Sequence, residues 1–416
     1  MAFVIKTVKT LRNNWKKSTF AAVALTYGYG YAKEYFETQE LMRVYCERAA
    51  KFGEHPIKVD VEPRTVTIIL NPSANKRKAT DEFEKYCAPL LHLAGICVNV
   101  VKTESEGHAK NLINSIENTD AIVVAGGDGT LSEVITGLLR RTNENTNGLI
   151  PLGILPLGKT NSVAKVLFPT GDHLEKVRAL ADATMAVVEE VVKPIDILKV
   201  EVLESDNKPI YAVAGIKWGA YRDAETKKDS YWVYGRFRKY ATYLFNGYKS
   251  NLTWDCKASL NYSPPCTGCS NCIKSQSHQK KWFQRFAKDQ QPSYSNVINP
   301  DCHTIQQKDI STVDFTLSIP NLNSNKETPK LVANIGPKTV DYFDFVKEGW
   351  KSENGRMRDV EEVIEARSIE IQPKVTNKSD SEGWFSIDNE NYELKPIKVT
   401  VLPKLIKVFC RKENLQ

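Results

Sequence analysis

The sequence predicts a parallel, doubly wound α/β domain followed by an antiparallel, sandwich-like β-rich domain. Three observations lead to this fold class. The chain has 416 residues, which is too many for one ordinary hydrophobic core. From Arg64 to about Glu190, strand-like and helix-like apolar patterns alternate, as they do when helices connect parallel strands. After Pro194 the apolar runs become short and are separated by turns, which is typical of an antiparallel sandwich.

The elements of the first domain follow from the period of its apolar residues. Strands are predicted at 65–70, 97–101, 121–125 and 149–155. Helices are predicted at 79–91, 107–116 and 131–141, and a fourth is expected to begin near Ser162. In the third helix the apolar residues recur at the spacing that puts them on one face.

The elements of the second domain are shorter. Strands are predicted at 195–203, 209–216, 313–319, 331–335, 368–371 and 398–401. Residues 223–248 are basic, aromatic and predicted to be helical, whereas 263–303 are polar, contain cysteines and are long enough to be a surface insertion. We therefore divide the chain into an N-terminal helical region at 1–60, an α/β domain at 61–191 and a β-rich domain at 192–416, with an insertion near 250–310.

The composition excludes several classes of protein. Apolar residues make up 41% and charged residues 26% of the chain, which indicates a globular protein rather than a disordered one. The net charge of +7 suits an anionic membrane surface or a phosphate ligand, although a solvated basic face is the simpler interpretation. No basic run or RNA-binding aromatic motif indicates a nucleic-acid partner. Nine scattered cysteines do not describe a small disulfide-stapled domain.

The first 33 residues differ from the rest of the chain. An uncharged stretch rich in Ala, Val, Leu and Tyr runs from Ser18 to Ala32, which is short for a membrane span. No clear cleavage site follows Ala32, so a removed signal peptide is not indicated. We predict an uncleaved targeting or anchoring helix on or in a membrane, with a plain packed helix as the alternative. The first acid of the chain is Glu34, and five basic residues lie before the uncharged stretch: Lys6, Lys9, Arg12, Lys16 and Lys17.

A glycine-rich turn, Gly126-Gly127-Asp128-Gly129-Thr130, lies between the third predicted strand and the third predicted helix. Glycines let the backbone approach a ligand closely and adopt positive φ. The N–H groups of the turn and of the helix N-terminus then form an anion site that suits phosphates. Asp128 fits such a site if Mg²⁺ lies between its carboxylate and the phosphates, or if it accepts a proton from an attacking hydroxyl. The alternative is a purely geometric turn in which Asp128 caps the helix.

Residues 153–160 match the P-loop pattern G-x-x-x-x-G-K-[ST]. Their context does not fit, because Gly153 falls inside a predicted strand, whereas a P-loop follows its strand. Pro156 also stiffens the loop. We therefore predict that residues 158–161 form a second, smaller nucleotide contact rather than a P-loop.

Two carboxylates, Asp388 and Glu390, follow an apolar run near the end of the chain. On a strand, residues i and i+2 face the same side, so this pair could act as a base and an orienting or metal-linked group. The alternative is an acidic β-turn between Ile387 and Tyr392. The residues alone leave both alternatives open.

A cysteine cluster lies in the predicted insertion at Cys266, Cys269 and Cys272. Two overlapping C-x-x-C steps and a fourth ligand would build a tetrahedral, structural zinc site. In an oxidising compartment the same cysteines could form a disulfide. No catalytic role is predicted for them. Further possible ligands lie nearby in the sequence: Cys256, His278, Cys302 and His303.

At these motifs the chain resembles the lipid kinases that include the diacylglycerol, sphingosine and ceramide kinases, and among them the acylglycerol kinases most closely. The likeness runs from one end of the chain to the other and misses mainly residues 250–310. Several motifs in the same order are more specific than any one alone. Besides the glycine-rich turn, the likeness covers 11–17, 70–72, 101–103, 117–120, 136–141, 156–158, 217–224 and 385–388.

The resemblance implies a nucleotide-binding α/β domain and a β-rich lipid-binding domain, with the active site in the cleft between them. It implies ATP and Mg²⁺ as cofactors. By position, the glycine-rich turn and several residues of neighbouring loops correspond to ATP contacts. They are Asn71, Thr103, Gly126, Gly127, Gly129, Thr130, Gly158 and Thr160.

The resemblance also assigns roles to four acids. Asp128 matches the essential aspartate of the family's glycine-rich turn and is the expected link to Mg²⁺. Asp388 matches the aspartate of the family's D-G-E element, the expected general base, with Glu390 as its companion. Asp223 matches the acid that contacts the lipid head group in sphingosine kinases.

Two positions depart from the family's pattern. Asn389 stands where the pattern has Gly. Ala74-Asn75 replaces the usual Ser-Gly or Gly-Gly after Asn71-Pro72. The location of the phosphate contacts therefore follows from the resemblance more firmly than their detailed geometry.

Acylglycerol kinases are similar to this chain in their basic and apolar N-terminal helix. They lie at the inner mitochondrial membrane, face the intermembrane space, and are also kinase-independent subunits of the carrier translocase. The resemblance thus implies phosphorylation of mono- and diacylglycerol to lysophosphatidic and phosphatidic acid. The alternatives are an NAD kinase-like phosphoryl transferase, since that fold relative shares the turn, or a non-enzymatic membrane-complex subunit with a vestigial kinase site.

Overall fold

A computed structural model of the protein describes most of the chain. The described residues are 13–54, 63–142, 150–205, 208–249, 256–266, 269, 299–320, 329–374 and 384–415. The predictions that concern residues 1–12, Cys272 and His278 lie outside these ranges.

The first domain is built on four parallel strands in the order β2–β1–β3–β4. Every residue of β3 and β4 is buried, which explains their continuous apolar sequence, because parallel strands are covered on both faces. The strands are β1 Thr65–Leu70, β2 Cys97–Lys102, β3 Ala121–Gly126 and β4 Leu152–Pro156. The predicted α/β fold of this half is confirmed.

Helices surround this sheet and continue into the second domain. The predicted helix at 79–91 is divided in two by a break at Cys87. The α-helices are α1 Trp15–Gly53, α2 Ala74–Arg77, α3 Ala79–Tyr86, α4 Ala88–Leu93, α5 His108–Leu112, α6 Asp128–Thr142, α7 Ser162–Leu167, α8 His173–Val188, α9 Ala220–Thr226, α10 Arg238–Lys249 and α11 Tyr342–Glu353. Short 3₁₀ helices lie at Ile113–Ser115, Lys227–Phe237, Pro300–His303 and Lys412–Leu415.

The second domain contains two packed sheets. The first continues the parallel sheet in the order β4–β16–β13–β8–β9, and the paired strands β5 and β6 join it through β16. The second is antiparallel, in the order β12–β11–β10–β7–β14–β15. The strands are β5 Val192–Val202, β6 Ile210–Ala212, β7 Ile216–Gly219, β8 Cys256–Ser263, β9 Gln306–Thr312, β10 Asp314–Ser318, β11 Leu331–Ile335, β12 Glu362–Ala366, β13 Ser368–Pro373, β14 Trp384–Ile387, β15 Glu390–Glu393 and β16 Ile397–Phe409.

One hydrophobic core lies between these sheets, as in a sandwich. Ile369 and Val399 enter it from the first sheet, and Phe315 and Phe385 from the second. The rings of Trp218 and Phe385 meet edge to face at a centroid distance of 5.5 Å. The predicted sandwich-like second half is confirmed, because the two inner faces exclude water together.

Two strand predictions differ from the structure. The strand predicted at 209–216 is interrupted after Ala212, because the next three backbone N–H groups donate to the carboxylate of Asp388 instead of to a neighbouring strand. The strand predicted at 398–401 is part of the much longer β16. The end of β16 leaves the sandwich and packs into the core of the first domain through Ile406, Val408 and Phe409.

The N-terminal helix α1 has 39 residues and two different halves. Its second half packs on the first domain, where Ala49 is fully buried. Its first half exposes large side chains, including Phe20 at 77% and Tyr27 at 80%. Among the described helices, none has the combination of length and hydropathy that crossing a bilayer requires.

Candidate active site

The glycine-rich turn connects the end of β3 to the start of α6. None of its three glycines, Gly126, Gly127 and Gly129, has a φ in the left-handed region, so positive φ is not the reason for them. Close approach explains them instead. A Cβ on Gly158 would lie 2.2 Å from the Cα of Gly127, and a Cβ on Gly129 would lie 2.4 Å from Oε1 of Glu390. The turn is therefore packed against two other loops so closely that side chains do not fit.

A cleft of about 460 Å³ opens beside this turn, at the carboxyl ends of the parallel strands. We call it the glycine-turn cleft. Of the eight residues that the family resemblance assigns to ATP, all but Gly126 line it. Gly126 lies behind them, where a Cβ would meet the side chain of Thr130 at 2.8 Å. Open α/β sheets bind ligands at this edge. The lining residues are Asn71, Ser73, Ala74, Asn75, Lys76, Thr103, Glu104, Ser105, Glu106, Ala109, Gly127, Asp128, Gly129, Thr130, Glu133, Gly158, Lys159, Thr160 and Glu390.

Hydrogen bonds hold the walls of the glycine-turn cleft in place. The side-chain amide of Asn71 donates to Oγ1 of Thr130 at 3.1 Å. The carboxylate of Glu133 accepts the backbone N–H of Gly107 at 2.7 Å and that of Ala109 at 3.1 Å. Glu133 therefore fixes the loop between β2 and α5, a role that its sequence context did not reveal.

The loop after Asn71-Pro72 shows how the chain accommodates its departure from the family's pattern. Asn75, Lys76 and Arg77 have φ of 49°, 57° and 67°, a region that usually requires glycine. Asn75 tolerates this conformation better than most residues, and its side-chain amide donates to Glu82 at 3.1 Å.

Asp128 is buried at the first position of α6, and its carboxylate joins two distant loops. The backbone N–H of Ser162 donates to its Oδ1 at 2.8 Å and to its Oδ2 at 3.0 Å. Asp128 therefore caps the start of α7 rather than its own helix. The side-chain amide of Asn389 donates to Oδ2 at 2.9 Å. Because Asn389 lies in the second domain, Asp128 connects the two domains while also lining the glycine-turn cleft.

Asp388 and Asn389 form the two-residue turn between β14 and β15. Asp388 and Glu390 therefore do not share one face of a continuous strand, and the β-turn interpretation of this segment applies. Their φ values are 48° and 68°, as in the type I′ turns that favour Asn, Asp and Gly. Asn389 can therefore replace glycine here, and its side chain gains the bond to Asp128. No local sequence pattern predicts that bond.

The carboxylate of Asp388 is buried and accepts three backbone N–H groups, from Val213 at 2.8 Å, Ala214 at 2.8 Å and Gly215 at 3.0 Å. Burial is the largest influence on its pKa and disfavours the charged form. The nearby charge of Asp128 acts in the same direction, whereas the three donors oppose it. The net effect raises the pKa of Asp388 to about 7.

Glu390 begins β15 and lies against Gly129. The hydroxyl of Tyr392 donates to its Oε2 at 3.2 Å, and burial raises the pKa of the Glu390 carboxyl. Glu390 also lines a second cavity, of about 660 Å³, between α6 and the hairpin of β14 and β15. We call this the interdomain cavity. Glu390 and Glu133 are the two residues shared by both cavities.

The P-loop interpretation does not apply, because Gly153 lies inside β4. Lys159 forms an ion pair with Asp229 of the 3₁₀ helix Lys227–Phe237, and this hydrogen bond is the main reason that the pKa of Asp229 is lowered. The ion pair lies between the glycine-turn cleft and the second domain. Gly158 is held by Asn161, whose Oδ1 accepts its N–H at 3.1 Å.

Asp223 lies in the first turn of α9 and lines neither cavity. Nη1 of Arg222 donates to its Oδ1 at 2.7 Å, but burial outweighs this contact and raises the pKa of Asp223. The other guanidinium nitrogen, Nη2, donates to Asn391, which lines the interdomain cavity. Arg222 therefore links Asp223 to the hairpin that carries Asp388 and Glu390.

The cysteine prediction is only partly within the described residues. Cys266 and Cys269 come together, and Cys302 joins them from the far side of the insertion. Cys256 lies at the opposite end of β8, and Cys272 lies outside the described ranges.

Two family models match the chain. Residues 65–200 match the diacylglycerol kinase catalytic domain, and residues 213–416 match the acylglycerol kinase C-terminal domain. Together they cover both structural halves that form the glycine-turn cleft.

Individual relatives agree with these models. The chain is 35% identical to the mitochondrial acylglycerol kinase of Homo sapiens, over 97% of this chain and 96% of that protein. It is 34% identical to the one of Xenopus laevis, over 100% and 98%. A putative diacylglycerol kinase from Bacillus anthracis str. Sterne shares the fold, with a TM-score of 0.51 and 17% identity over 85% of this chain and 99% of that one. The chain thus belongs to the acylglycerol kinase family and is a lipid kinase.

Proposed function

We propose that the protein transfers the terminal phosphoryl group of ATP to the primary hydroxyl of mono- and diacylglycerol, which yields lysophosphatidic and phosphatidic acid. The observation that supports this proposal is that elements of both domains line one cleft. The glycine-rich turn supplies a phosphate site, and the acidic hairpin of the second domain brings Glu390 against it. The names of the relatives supply the substrate class.

The glycine-turn cleft suits a nucleotide triphosphate. The N-terminus of the 15-residue helix α6 favours negative charge, and Lys76 adds positive charge to the lining, whereas Lys159 is already paired with Asp229. Asp128 and Glu390 are oxygen donors in the same cleft, and Mg²⁺ is typically held by one or two carboxylates together with substrate phosphates. When bound, Mg²⁺ would neutralise charge on the phosphates. We assign it to Asp128, with Glu390 as the second oxygen donor.

We assign the general base to Asp388. A base is most efficient when its pKa is near the working pH, and the pKa of Asp388 is raised to about 7. Only one of the three N–H donors, that of Val213, reaches Oδ2, so this oxygen keeps a lone pair for a hydroxyl proton. Asp388 is buried and lines neither cavity, so in the proposed step the proton of the lipid hydroxyl reaches it through one water as the hydroxyl oxygen bonds to phosphorus, and ADP leaves. Positioning and electrostatics dominate such transfers.

A substrate panel tests this assignment directly. The purified protein with ATP and Mg²⁺ is offered monoacylglycerol, diacylglycerol, sphingosine, ceramide and NAD, and transfer of the terminal phosphate is followed with a radiolabel. We expect acylglycerols to be labelled well above the others. If NAD alone is labelled, or if no substrate of the panel is labelled, the proposed reaction is ruled out.

Substituting Glu390→Gln is expected to raise the Mg²⁺ concentration needed for half-maximal activity by about tenfold or more. The substitution keeps the shape of the side chain but removes a charge that faces the phosphate site. A titration of activity with Mg²⁺ at saturating ATP measures this. The control is Glu365→Gln, on β12, where the carboxylate pairs with Lys330 at the surface. An unchanged Mg²⁺ dependence in Glu390→Gln would show that this carboxylate has no metal-linked role.

We further propose that Asp223 binds the glycerol head group and that the 3₁₀ helix Lys227–Phe237 faces the membrane. Burial already raises the pKa of Asp223, which suits a carboxyl that exchanges hydrogen bonds with hydroxyl groups. Trp232 and Phe237 of this helix are 73% and 64% exposed. The ion pair of Lys159 with Asp229 connects the helix to the glycine-turn cleft. A lipid that leaves the bilayer here would therefore reach the phosphate site over a short path.

The double substitution Trp232→Ala/Phe237→Ala is expected to lower activity on diacylglycerol in anionic vesicles about tenfold or more, because exposed aromatic side chains anchor proteins at the bilayer surface. Activity on a soluble short-chain diacylglycerol should stay within a factor of about two. Ile305→Ala is the matched control, since Ile305 is 72% exposed beside β9. Equal losses on both substrates would contradict a membrane-facing role.

We also propose that the protein works at the inner mitochondrial membrane, facing the intermembrane space, and that it is a kinase-independent subunit of the carrier translocase. The names of the relatives support the organelle, and the exposed first half of α1 supports an interaction surface. An Asp128→Asn variant expressed in cells that lack the protein should still co-purify with the import machinery and restore carrier import. Loss of both would tie any import role to kinase activity.

A further inference from the structure

Three cysteines from the two ends of the insertion meet at one point. Cys266 and Cys269 follow the end of β8, and Cys302 lies in the 3₁₀ helix that leads into β9. Their sulfur atoms all lie within 4.8 Å of one another, and Cys269 and Cys302 are buried. This spacing suits three corners of a tetrahedron around a zinc ion, in which each zinc–sulfur bond is about 2.3 Å long.

Polar donors point at two of these sulfur atoms. The side-chain amide of Asn299 donates to Sγ of Cys266 at 3.3 Å. Nη1 of Arg367 donates to Sγ of Cys302 at 3.9 Å. The backbone of Arg367 is fixed beside the cluster, because its N–H donates to the carbonyl oxygen of Ser263 at 2.9 Å. N–H donors to ligand atoms are the outer contacts that orient the ligands of a bound metal.

We propose that Cys266, Cys269 and Cys302 bind a structural zinc ion. A single disulfide could join only two of the three sulfurs, whereas a zinc ion uses all of them at once. Among the described residues, no other His, Cys, Asp or Glu belongs to the cluster. The proposal therefore rests on the three cysteine thiolates as ligands. The fourth ligand of the tetrahedral zinc ion would be another donor.

The site is structural rather than catalytic. It is built on the ends of β8 and β9 and on Arg367 before β13, and none of these elements lines the glycine-turn cleft or the interdomain cavity. Bound zinc would cross-link the chain between Cys269 and Cys302, which lie on either side of a long sequence segment. Closing a long loop reduces the conformational freedom of the unfolded chain, which stabilises the folded edge of the sandwich.

The test measures zinc in the purified full-length protein and in two single variants. We expect about one zinc per chain by elemental analysis, and loss of most of it in Cys302→Ala. Cys256→Ala is the matched control, because it removes a buried cysteine from the other end of β8 and should keep its zinc. A chelator should lower the Tm of the wild type and of Cys256→Ala, but should change that of Cys302→Ala little.

A second measurement covers the case in which Cys302→Ala does not fold. Cobalt is exchanged into the wild-type protein, and the intense near-ultraviolet band of thiolate-to-cobalt charge transfer is recorded. A band with the strength of three or more thiolates supports the site. Three results would overturn the proposal. The wild type could lack both zinc and the cobalt band, Cys302→Ala could retain its zinc, or two of the three cysteines could form a disulfide. Kinase activity enters neither measurement, so the result does not depend on the proposed reaction.

Discussion

Substituting Asp388→Asn should lower kcat on diacylglycerol by a factor of about 10²–10⁴, which is the usual contribution of a general base. The amide cannot accept the hydroxyl proton at neutral pH. The KM for ATP should change little, because Asp388 lies behind the glycine-turn cleft rather than in its lining. Steady-state kinetics with each substrate varied in turn separate the two parameters.

The pH profile makes this expectation specific. The pKa of Asp388 is raised to about 7, and a base works only when deprotonated. The kcat/KM of the wild type should therefore rise with pH and level off above about 7, and the residual activity of Asp388→Asn should lack that rise. If the variant keeps the same acidic limb, the base is another group, and Glu390 is then the next carboxylate to examine.

Asp388→Asn also disturbs the fold, so its stability must be measured beside its activity. One of the three N–H donors would face the new amide N–H₂ group instead of an oxygen. Leaving a buried donor unsatisfied costs about 1–3 kcal/mol. A loss of kcat at a temperature where the variant is still fully folded by circular dichroism is the expected outcome, whereas a loss that follows unfolding would point to a structural role alone.

Substituting Asp128→Asn should lower kcat/KM by about 10² or more, because it removes a charge that lines the phosphate site. It should also weaken the contact between the domains, since the amide would turn a donor toward the side-chain amide of Asn389. Steady-state kinetics and thermal unfolding of the same preparation record the two effects together.

The double substitution Asp128→Asn/Asn389→Asp separates these two effects. It exchanges donor and acceptor, so that the hydrogen bond between positions 128 and 389 can form again while the carboxylate remains absent from position 128. We expect the Tm to recover and the activity to stay low. Recovery of both would mean that Asp128 acts only by joining the domains.

Much of the fold was predictable where contacts are local in sequence. Strands β1 to β3 and helix α6 have apolar patterns of the right period, and β11 was predicted to the residue. Strands such as β8 and β9 were not predicted, because their partners lie far away in the chain and their alternation is weak. The break between β6 and β7 arises from Asp388, which is 173–175 residues distant. No local pattern contains that information.

In the candidate site, too, features that are local in sequence were predictable and long-range contacts were not. The glycine-rich turn and the loops beside it could be identified, because phosphate binding needs glycines at a helix N-terminus. The partners of the acids could not, because they depend on how two domains meet. Asn389 looked like a departure from the family's pattern, yet its amide reaches Asp128 across the domain boundary. The third cysteine of the cluster, Cys302, was separated from the other two by the whole insertion.

The path of β16 has a consequence for how the protein is made. Its final residues fill the core of the first domain and pair with β4, although the rest of that domain is synthesised long before them. During synthesis the α/β half therefore stays incomplete, with part of its apolar interior uncovered, until β16 has left the ribosome. A chain that stops before Leu405 would leave that interior permanently open. We expect such shortened products to be bound by chaperones and degraded rather than to persist as a free kinase domain.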